Sequence, residues 1–241
     1  MRWKRMLEVD PRPARIRAEL GARKVIIVTG SKGGVGKTTI AALLSLALAE
    51  RGLRPLLIDL DVTDPNMHVV LGVDVESQMP GETKGISPMK VHGVGFISIA
   101  PYTKARPAPL RGEDAVNAVR ELLAATDYTG YDTIVIDTPP GLGDVNLELL
   151  RLVPDALVVV VTTPSKLSKD SLRRHLQLLA ESGYGDPIVL YNMSRGERPG
   201  ELSIPFDGDL EEAYGDPLKL METKAYGKVR GLAEVLLARL R

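Results

Sequence analysis

The fold is decided by the stretch TGSKGGVGKTT, residues 29–39. Residues 31–38 nearly match the phosphate-loop pattern G-x-x-x-x-G-K-[ST], with Ser31 in the place of the first glycine. The glycines of such a loop let the backbone curl, so that successive N–H groups point inward and surround phosphate oxygens. The following helix adds the positive end of its dipole. The dinucleotide pattern G-x-G-x-x-G fits no frame here, so the stretch predicts a site for nucleotide phosphates.

The pattern gives the loop residues distinct roles. The backbone amides that would surround the phosphates belong to Gly33, Gly34, Val35 and Gly36. Lys37 is expected to bridge the β- and γ-phosphates, Thr38 to ligate Mg²⁺ and Thr39 to bond the α-phosphate. A glycine turn that merely joins a strand to a helix is the alternative. The context argues against it, because a buried strand leads into the loop and a helix opens at its lysine.

Short apolar runs alternate with longer amphipathic runs along the rest of the chain. Strands are predicted at 24–30, 54–61, 93–100, 155–164 and 186–193, and a strand with its following loop at 131–141. Helices are predicted at 37–52, 112–126, 168–183 and 223–240. Ser168 is expected to cap the third of these helices. Because most of the strands are apolar on both faces, the sequence predicts an α/β fold. We expect a single P-loop NTPase domain with a mainly parallel, twisted sheet and helices on both faces.

Two segments stand apart from this alternation. Residues 72–93 are rich in Gly, Pro and Ser and are expected to form a surface excursion. Residues 1–22 are a basic N-terminal leader, with a short surface helix near 13–20 or, alternatively, an arm that docks on a partner. We therefore divide the chain into this leader and a P-loop ATPase domain at 23–241.

Composition excludes several classes of function. The 241 residues contain 31 basic and 31 acidic side chains, so the chain as a whole is not a polyanion binder. With no cysteine, it has no disulfide, no thiolate zinc site, no cysteine nucleophile and no cysteine-held iron–sulfur cluster. No apolar run reaches the roughly 18 residues of a spanning helix, and the charged start lacks the apolar core of a signal peptide. We therefore expect a cytoplasmic location.

Carboxylates at strand ends complete the predicted phosphate site. Asp137 ends the run TIVID, where an aspartate of this kind holds Mg²⁺ through a water molecule. Asp59 is expected to support the magnesium from its outer shell, and Asp61 to orient the attacking water. The alternative for each is a helix cap or a surface acid at the end of a strand.

Three further features are assigned to the nucleotide. The backbone N–H of Gly141, in the loop after Asp137, is expected to sense the γ-phosphate. Asn192 carries an amide that suits the N6 and N7 edge of adenine, with a turn asparagine as the alternative. The segment IPFDGDLEEAYGDP (204–217) is expected to close over the base.

A second lysine begins the run KGGVGKTT at residue 32. With it, the loop resembles the deviant Walker A loop of the MinD/ParA/Mrp ATPases. The resemblance implies that Lys32 reaches across a homodimer to the nucleotide of the partner and stabilises charge on the transferring phosphoryl group, as an arginine finger does. A solvated loop lysine is the alternative. The resemblance thus adds Lys32 to Lys37 and Asp61 as catalytic candidates.

Other motifs narrow the resemblance to the Mrp-type ATPases, the branch that contains bacterial Mrp/ApbC. They are DTPPGLGD (137–144), YNMS (191–194) and IPFDGDL (204–210), and the resemblance runs from about residue 24 to residue 220. It implies Mg²⁺-dependent binding of ATP and ADP, slow ATP hydrolysis in a nucleotide-controlled homodimer, and a role in iron–sulfur cluster assembly. Cluster-carrying members place C-x-x-C soon after NMS. Here RGERPGELS (195–203) has no cysteine, so no cluster is expected on this chain alone.

Two alternatives stay open at this stage. The first is a ParA/MinD-like positioning ATPase that binds DNA or a membrane, because the basic, amphipathic tail 224–241 is similar to the membrane-seeking helix of MinD. A final helix packed on the sheet has the same pattern. The second is a nucleotide-gated interaction module that does not hydrolyse ATP. In each case we expect a partner or client protein that the sequence does not identify.

Overall fold

The computed structural model describes residues 10–82, 84–196 and 200–240 of the chain. The first nine residues of the predicted leader therefore lie outside the described residues. So do residues 197–199, in the stretch where cluster-carrying members of the resembled family place their cysteines.

Strands and helices alternate through the described part of the chain. The strands are β1 Lys24–Gly30, β2 Pro55–Asp59, β3 Gly81–Glu82, β4 Ile86–Ser87, β5 Met89–Val91, β6 Val94–Ile97, β7 Thr133–Asp137, β8 Leu157–Thr162, β9 Ile188–Ser194 and β10 Leu202–Pro205. The helices are α1 Arg12–Gly21, α2 Lys37–Glu50, α3 Met67–Leu71, α4 Ala100–Thr103, α5 Gly112–Ala125, α6 Asp144–Leu152, α7 Lys166–Glu181, α8 Asp209–Glu212, α9 Pro217–Glu222 and α10 Lys224–Arg239.

Eight strands form one sheet in the order β10-β9-β8-β1-β7-β2-β6-β5. Each neighbouring pair is parallel except β5 and β6, which are antiparallel at one edge. Strand β1 therefore lies in the middle, between β7 and β8, and the loop that follows it opens at the carboxyl edge of the sheet. Ligands of open α/β sheets bind at this edge. The topology confirms the predicted α/β class.

Hydrophobic clusters cover both faces of the sheet. On one face, helices α2 and α10 pack on alternate residues of β1, Ile26 and Val28. On the other face, α1, α5 and α6 pack on Val25 and Ile27. Helix α2 is apolar nearly all round, since Ile40 to Leu48 are buried without interruption. A helix of this composition belongs inside a domain. Its burial holds the first turn of α2 in place at the end of the phosphate loop.

Both chain ends of the described part contribute to these clusters. Ile16 and Leu20 of α1 are fully buried in the cluster with α5 and α6. In α10, the apolar stripe that includes Val229, Leu232 and Leu236 is buried against the opposite face. The amphipathic pattern of the tail is thus explained by packing on the sheet. Among the described residues, no helix combines the length and the apolar character that crossing a bilayer requires.

The structure differs from the sequence prediction in the cap of α7, in the excursion at 72–93 and in the segment after β9. Helix α7 begins at Lys166 and is capped by Ser165, whose Oγ accepts from the N–H of Ser168 at 3.2 Å. The prediction of Ser168 as the cap was therefore wrong, because a second serine stands three residues earlier. The excursion at 72–93 contains the short strands β3 to β5. Strand β10 follows β9 and extends the sheet, although no strand was predicted there.

Candidate nucleotide site

The loop between β1 and α2 has the backbone that its glycines permit. Gly34 and Gly36 have φ angles of +72° and +86°, in the left-handed region. At Gly30, an added Cβ would lie 2.9 Å from the side-chain carbons of Lys37. The absence of a side chain there lets the lysine fold across the end of β1. Lys37 is only 7% exposed, so its charge is held at the loop and not in solvent.

Asp137 and Thr38 form the centre of the site. The hydroxyl of Thr38 donates to Oδ2 of Asp137 at 2.7 Å. The other oxygen, Oδ1, is buried and has no hydrogen-bond partner among the described residues. Burial raises the pKa of Asp137 to about 7, while the Thr38 bond and the nearby charge of Lys37 act to lower it. A buried acceptor without a donor is costly, so the site is incomplete as it stands.

The oxygens of Asp137 and Thr38 are suitable ligands for Mg²⁺ that is bound together with a nucleotide. Mg²⁺ keeps several waters and binds through one or two carboxylates together with substrate phosphates. A hydroxyl oxygen and an unpartnered carboxylate oxygen at the phosphate loop match that preference. Among residues 10–82, 84–196 and 200–240, no group of three or more His, Asp or Glu side chains forms a metal cage.

Two more carboxylates lie at the end of β2. Asp59 is opposite Asp137 in register, and burial together with the charge of Asp137 raises the pKa of Asp59 well above its usual range. Its two oxygens accept from the N–H of Asp61 at 3.0 Å and from the hydroxyl of Ser98 at 3.3 Å. Asp61 is half-buried, and its Oδ1 accepts from the Thr63 hydroxyl at 2.8 Å. All three predicted acids thus gather at the same edge of the sheet.

The amino-acid sequence matches a known family. The family described as ParA, NUBPL iron-transfer P-loop NTPase, matches residues 21–210. The chain belongs to this ParA family of P-loop NTPases. Among its curated relatives, an iron-sulfur cluster carrier protein of Pseudomonas fragi is 36% identical over 184 residues, covering 75% of this chain and 64% of that protein. The carrier protein of Synechocystis is 33% identical over 178 residues, covering 71% of this chain and 50% of that protein.

Solved structures show how widely the fold is shared. A nucleotide-binding protein of Archaeoglobus fulgidus in complex with ADP superposes with a TM-score of 0.68 at 23% identity, covering 91% of this chain and 93% of that one. The septum site-determining protein MinD of Pyrococcus horikoshii, complexed with Mg-ADP, gives 0.60 at 25% identity, covering 91% and 98%. The ParA-family chain therefore has the MinD/ParA fold. It spans between 50% and 64% of the length of the two carrier proteins.

The remaining predicted residues of this ParA-family chain lie around the loop. Lys32 is half-buried and makes no ion pair or hydrogen bond with any residue that the structure describes. The N–H of Gly141 donates to the carbonyl of Gly30 at 3.3 Å. Asn192 is buried, and its Nδ2 donates to the carbonyl of Val35 at 2.9 Å. Asn192 therefore braces the phosphate loop in this structure, and its contact with adenine stays a prediction.

Two polar side chains at this site were not predicted from the sequence. Asn146 is buried in the first turn of α6, and its Nδ2 donates to the carbonyls of Pro139 (3.1 Å) and Gly141 (2.7 Å). A signal existed, since an asparagine inside a helix after a Gly-Pro loop favours bonds to nearby backbone. Tyr214 places its hydroxyl 2.8 Å from Oγ1 of Thr39. No local pattern reveals that contact, because 175 residues separate the two.

Proposed function

We propose that this chain binds Mg-ATP and hydrolyses it slowly as a nucleotide-controlled homodimer in the cytoplasm. The observation that supports the proposal best is the buried, unpartnered Oδ1 of Asp137 beside Thr38 and Lys37. A bound magnesium–phosphate ligand would give that oxygen a partner. The match to a P-loop NTPase family adds support from the sequence.

The residues divide the work of phosphoryl transfer, which depends mostly on positioning and charge compensation. Backbone amides of Gly33 to Gly36 hold the phosphates, and Lys37 bridges the β- and γ-phosphates. Thr38 and Asp137 hold the magnesium, with Asp59 behind them. When bound, the metal neutralises charge that develops on the phosphate oxygens.

Asp61 orients the attacking water, and its bond from Thr63 fixes the carboxylate for that task.

The homodimer in this proposal is based on Lys32. Its ammonium lies in the loop without an ion-pair partner in the described part of the chain. In the proposed homodimer, it compensates charge at the nucleotide of the other copy. The N–H of Gly141, now bonded to Gly30, exchanges that carbonyl for the γ-phosphate when ATP binds. The loop that follows β7 thereby takes two arrangements, one for ATP and one for ADP, and each presents a different surface to a client protein.

The cargo of such a cycle differs from that of the named relatives. Those relatives are called iron-sulfur cluster carrier proteins, whereas these 241 residues include no cysteine. A cluster held by thiolates on this chain is therefore not part of the proposal. We place the chain in the same nucleotide-driven cycle, acting on a client protein in cluster assembly that brings its own ligands.

Two measurements test the proposal directly. Calorimetric titration of the full chain with Mg-ADP should show saturable binding, and absence of heat would refute the nucleotide site. Phosphate release from ATP, measured at several protein concentrations, should show a rate per chain that rises with concentration as dimers form. Binding without any phosphate release would favour the nucleotide-gated module. The membrane-binding alternative is weakened, because the apolar stripe of α10 is already buried on the sheet.

A further inference from the structure

The contact between Tyr214 and Thr39 joins the phosphate loop to a distant segment. Thr39 lies in the first turn of α2, two residues after Lys37, and is 7% exposed. Tyr214 follows α8 and is 36% exposed. The two side-chain oxygens are 2.8 Å apart. A buried threonine at the start of α2 thus meets a partly exposed tyrosine from the loop after α8.

The backbone holds Tyr214 in place from the other side. The N–H of the next residue, Gly215, donates to the carbonyl of Val70 at the end of α3 at 3.1 Å. Gly72 approaches so closely that an added Cβ there would lie 2.1 Å from the carbonyl oxygen of Gly215. Asp216 then caps α9 by accepting from the N–H groups of Leu218 and Lys219. The tyrosine is therefore on a fixed loop, and its hydroxyl is aimed before any ligand binds.

A count of protons shows what the pair offers to a ligand. Each hydroxyl has one proton to donate and lone pairs to accept. One of the two protons is used between Tyr214 and Thr39, which leaves a single O–H for an outside acceptor. Thr39 lies in the first turn of α2, and the N-terminal end of a helix favours an anion. The acceptor that fits this place is a phosphate oxygen.

We propose that Tyr214 is a positioning residue of the nucleotide site. Its hydroxyl donates to Oγ1 of Thr39, so that the one remaining proton of Thr39 is directed at the phosphate nearest the nucleoside. The inference rests on the proposed function and adds to it a residue outside the phosphate loop. The inference also identifies the class of ligand, which is a nucleotide bound through its α-phosphate. Because the contact is at the α-phosphate, it serves nucleoside diphosphates and triphosphates equally.

The test compares Tyr214→Phe with the wild-type chain in calorimetric titrations with Mg-ADP and Mg-AMPPNP. Loss of one hydrogen bond should weaken both ligands by roughly the same factor, on the order of tenfold. Tyr102→Phe is the matched control, because Tyr102 is 39% exposed and donates to Glu82, on a different element. That control should leave both affinities unchanged. Unchanged affinities in Tyr214→Phe would overturn the inference.

A double-mutant cycle separates this role from a general stabilising one. In a Thr39→Val background, Tyr214→Phe should weaken Mg-ADP binding no further, because the tyrosine acts through the threonine. Additive losses would refute that route. The unfolding temperature of the ligand-free chain gives the second readout, since a merely structural tyrosine would lower it without changing affinity. If the wild-type chain itself bound no Mg-ADP, the proposed function would fail too, which distinguishes the two failures.

Discussion

Asp59 and Asp137 lie directly opposite each other at the carboxyl ends of β2 and β7. Both are buried, and burial raises the pKa of each. The charge of Asp137 raises the pKa of Asp59 further. Neighbouring strands thus hold two acids in a place where neither ionises easily without a cation. In the nucleotide-free chain, ionisation of these two carboxyl groups is therefore unfavourable, and a bound cation would favour it.

The first prediction concerns stability and pH in the nucleotide-free chain. The pKa of Asp137 is 3.8 at its usual value and about 7 when folded. Between these values the folded state holds more protons than the unfolded state, so the contribution of Asp137 to stability falls as pH rises. Asp137→Asn cannot lose a proton. Urea unfolding from pH 4 to pH 8 should therefore show the variant gaining stability relative to wild type up to about pH 7, and then a plateau. A difference that stays constant with pH would contradict the raised pKa.

The second prediction concerns magnesium. In Asp137→Asn, the neutral amide is a poorer partner for the cation, so the gain in ADP affinity that magnesium gives should fall by about 10–100-fold. Titrations with ADP in magnesium and in chelator measure this gain. Thr38→Ser is the matched control, because it keeps the hydroxyl at the same contact. If Asp137→Asn retained the full magnesium effect, another residue would have to hold the metal.

The third prediction concerns Lys32. Lys32→Ala should leave Mg-ADP affinity nearly unchanged and lower ATP turnover by about 10³-fold, the lower end of the effect of an arginine finger. Lys90→Ala is the control, since Lys90 is an exposed lysine on the edge strand β5. Steady-state phosphate release measures both variants.

Mixing inactive chains tests whether Lys32 acts on the other copy. A Lys32→Ala chain paired with a Lys37→Ala chain contains one intact site, which takes its nucleotide from the first chain and Lys32 from the second. Mixing should therefore restore part of the lost turnover. Mixtures that stay as inactive as their components would argue that Lys32 acts within its own chain or not at all.

The sequence predicted the parts of this molecule that depend on neighbouring residues. Strand β1 was predicted at its observed bounds, because it is a continuous β-branched run that ends in glycine. The same local reasoning brought Asp59 and Asp137 to one edge, since parallel strands align their carboxyl ends. Tyr214 could not be found in this way. The packing of α3 against the loop after α8 brings Tyr214 to Thr39, and no periodic pattern in the sequence reveals that packing.

The fourth prediction concerns the loop after β7. Asn146→Ala removes both donors to the carbonyls of Pro139 and Gly141, and each of these part-buried hydrogen bonds contributes about 0.5–1.5 kcal/mol. The loop should then lose its fixed arrangement, so turnover should fall more than ADP affinity. Asn117→Ala is a matched control, because the part-buried Asn117 of α5 accepts from Arg12 of α1 and, among the described residues, makes no hydrogen bond to the loop after β7. Equal turnover in the two variants would remove Asn146 from the site.

The last prediction concerns Gly36, the residue before Lys37. Its φ of +86° costs an alanine about 1–2 kcal/mol, and a Cβ there would lie 2.4 Å from Nδ2 of Asn192. Asn192 would have to give up its bond to Val35, so Gly36→Ala should destabilise the chain by about 2 kcal/mol or more and weaken Mg-ADP binding. Gly227→Ala provides the opposite case, because Gly227 lies exposed within α10 with no atom within 4 Å of an added Cβ. It should stabilise by about 0.5–1 kcal/mol without changing affinity. Urea unfolding of both variants measures the contrast, and a Gly36→Ala chain as stable as wild type would show that Asn192 does not brace the loop.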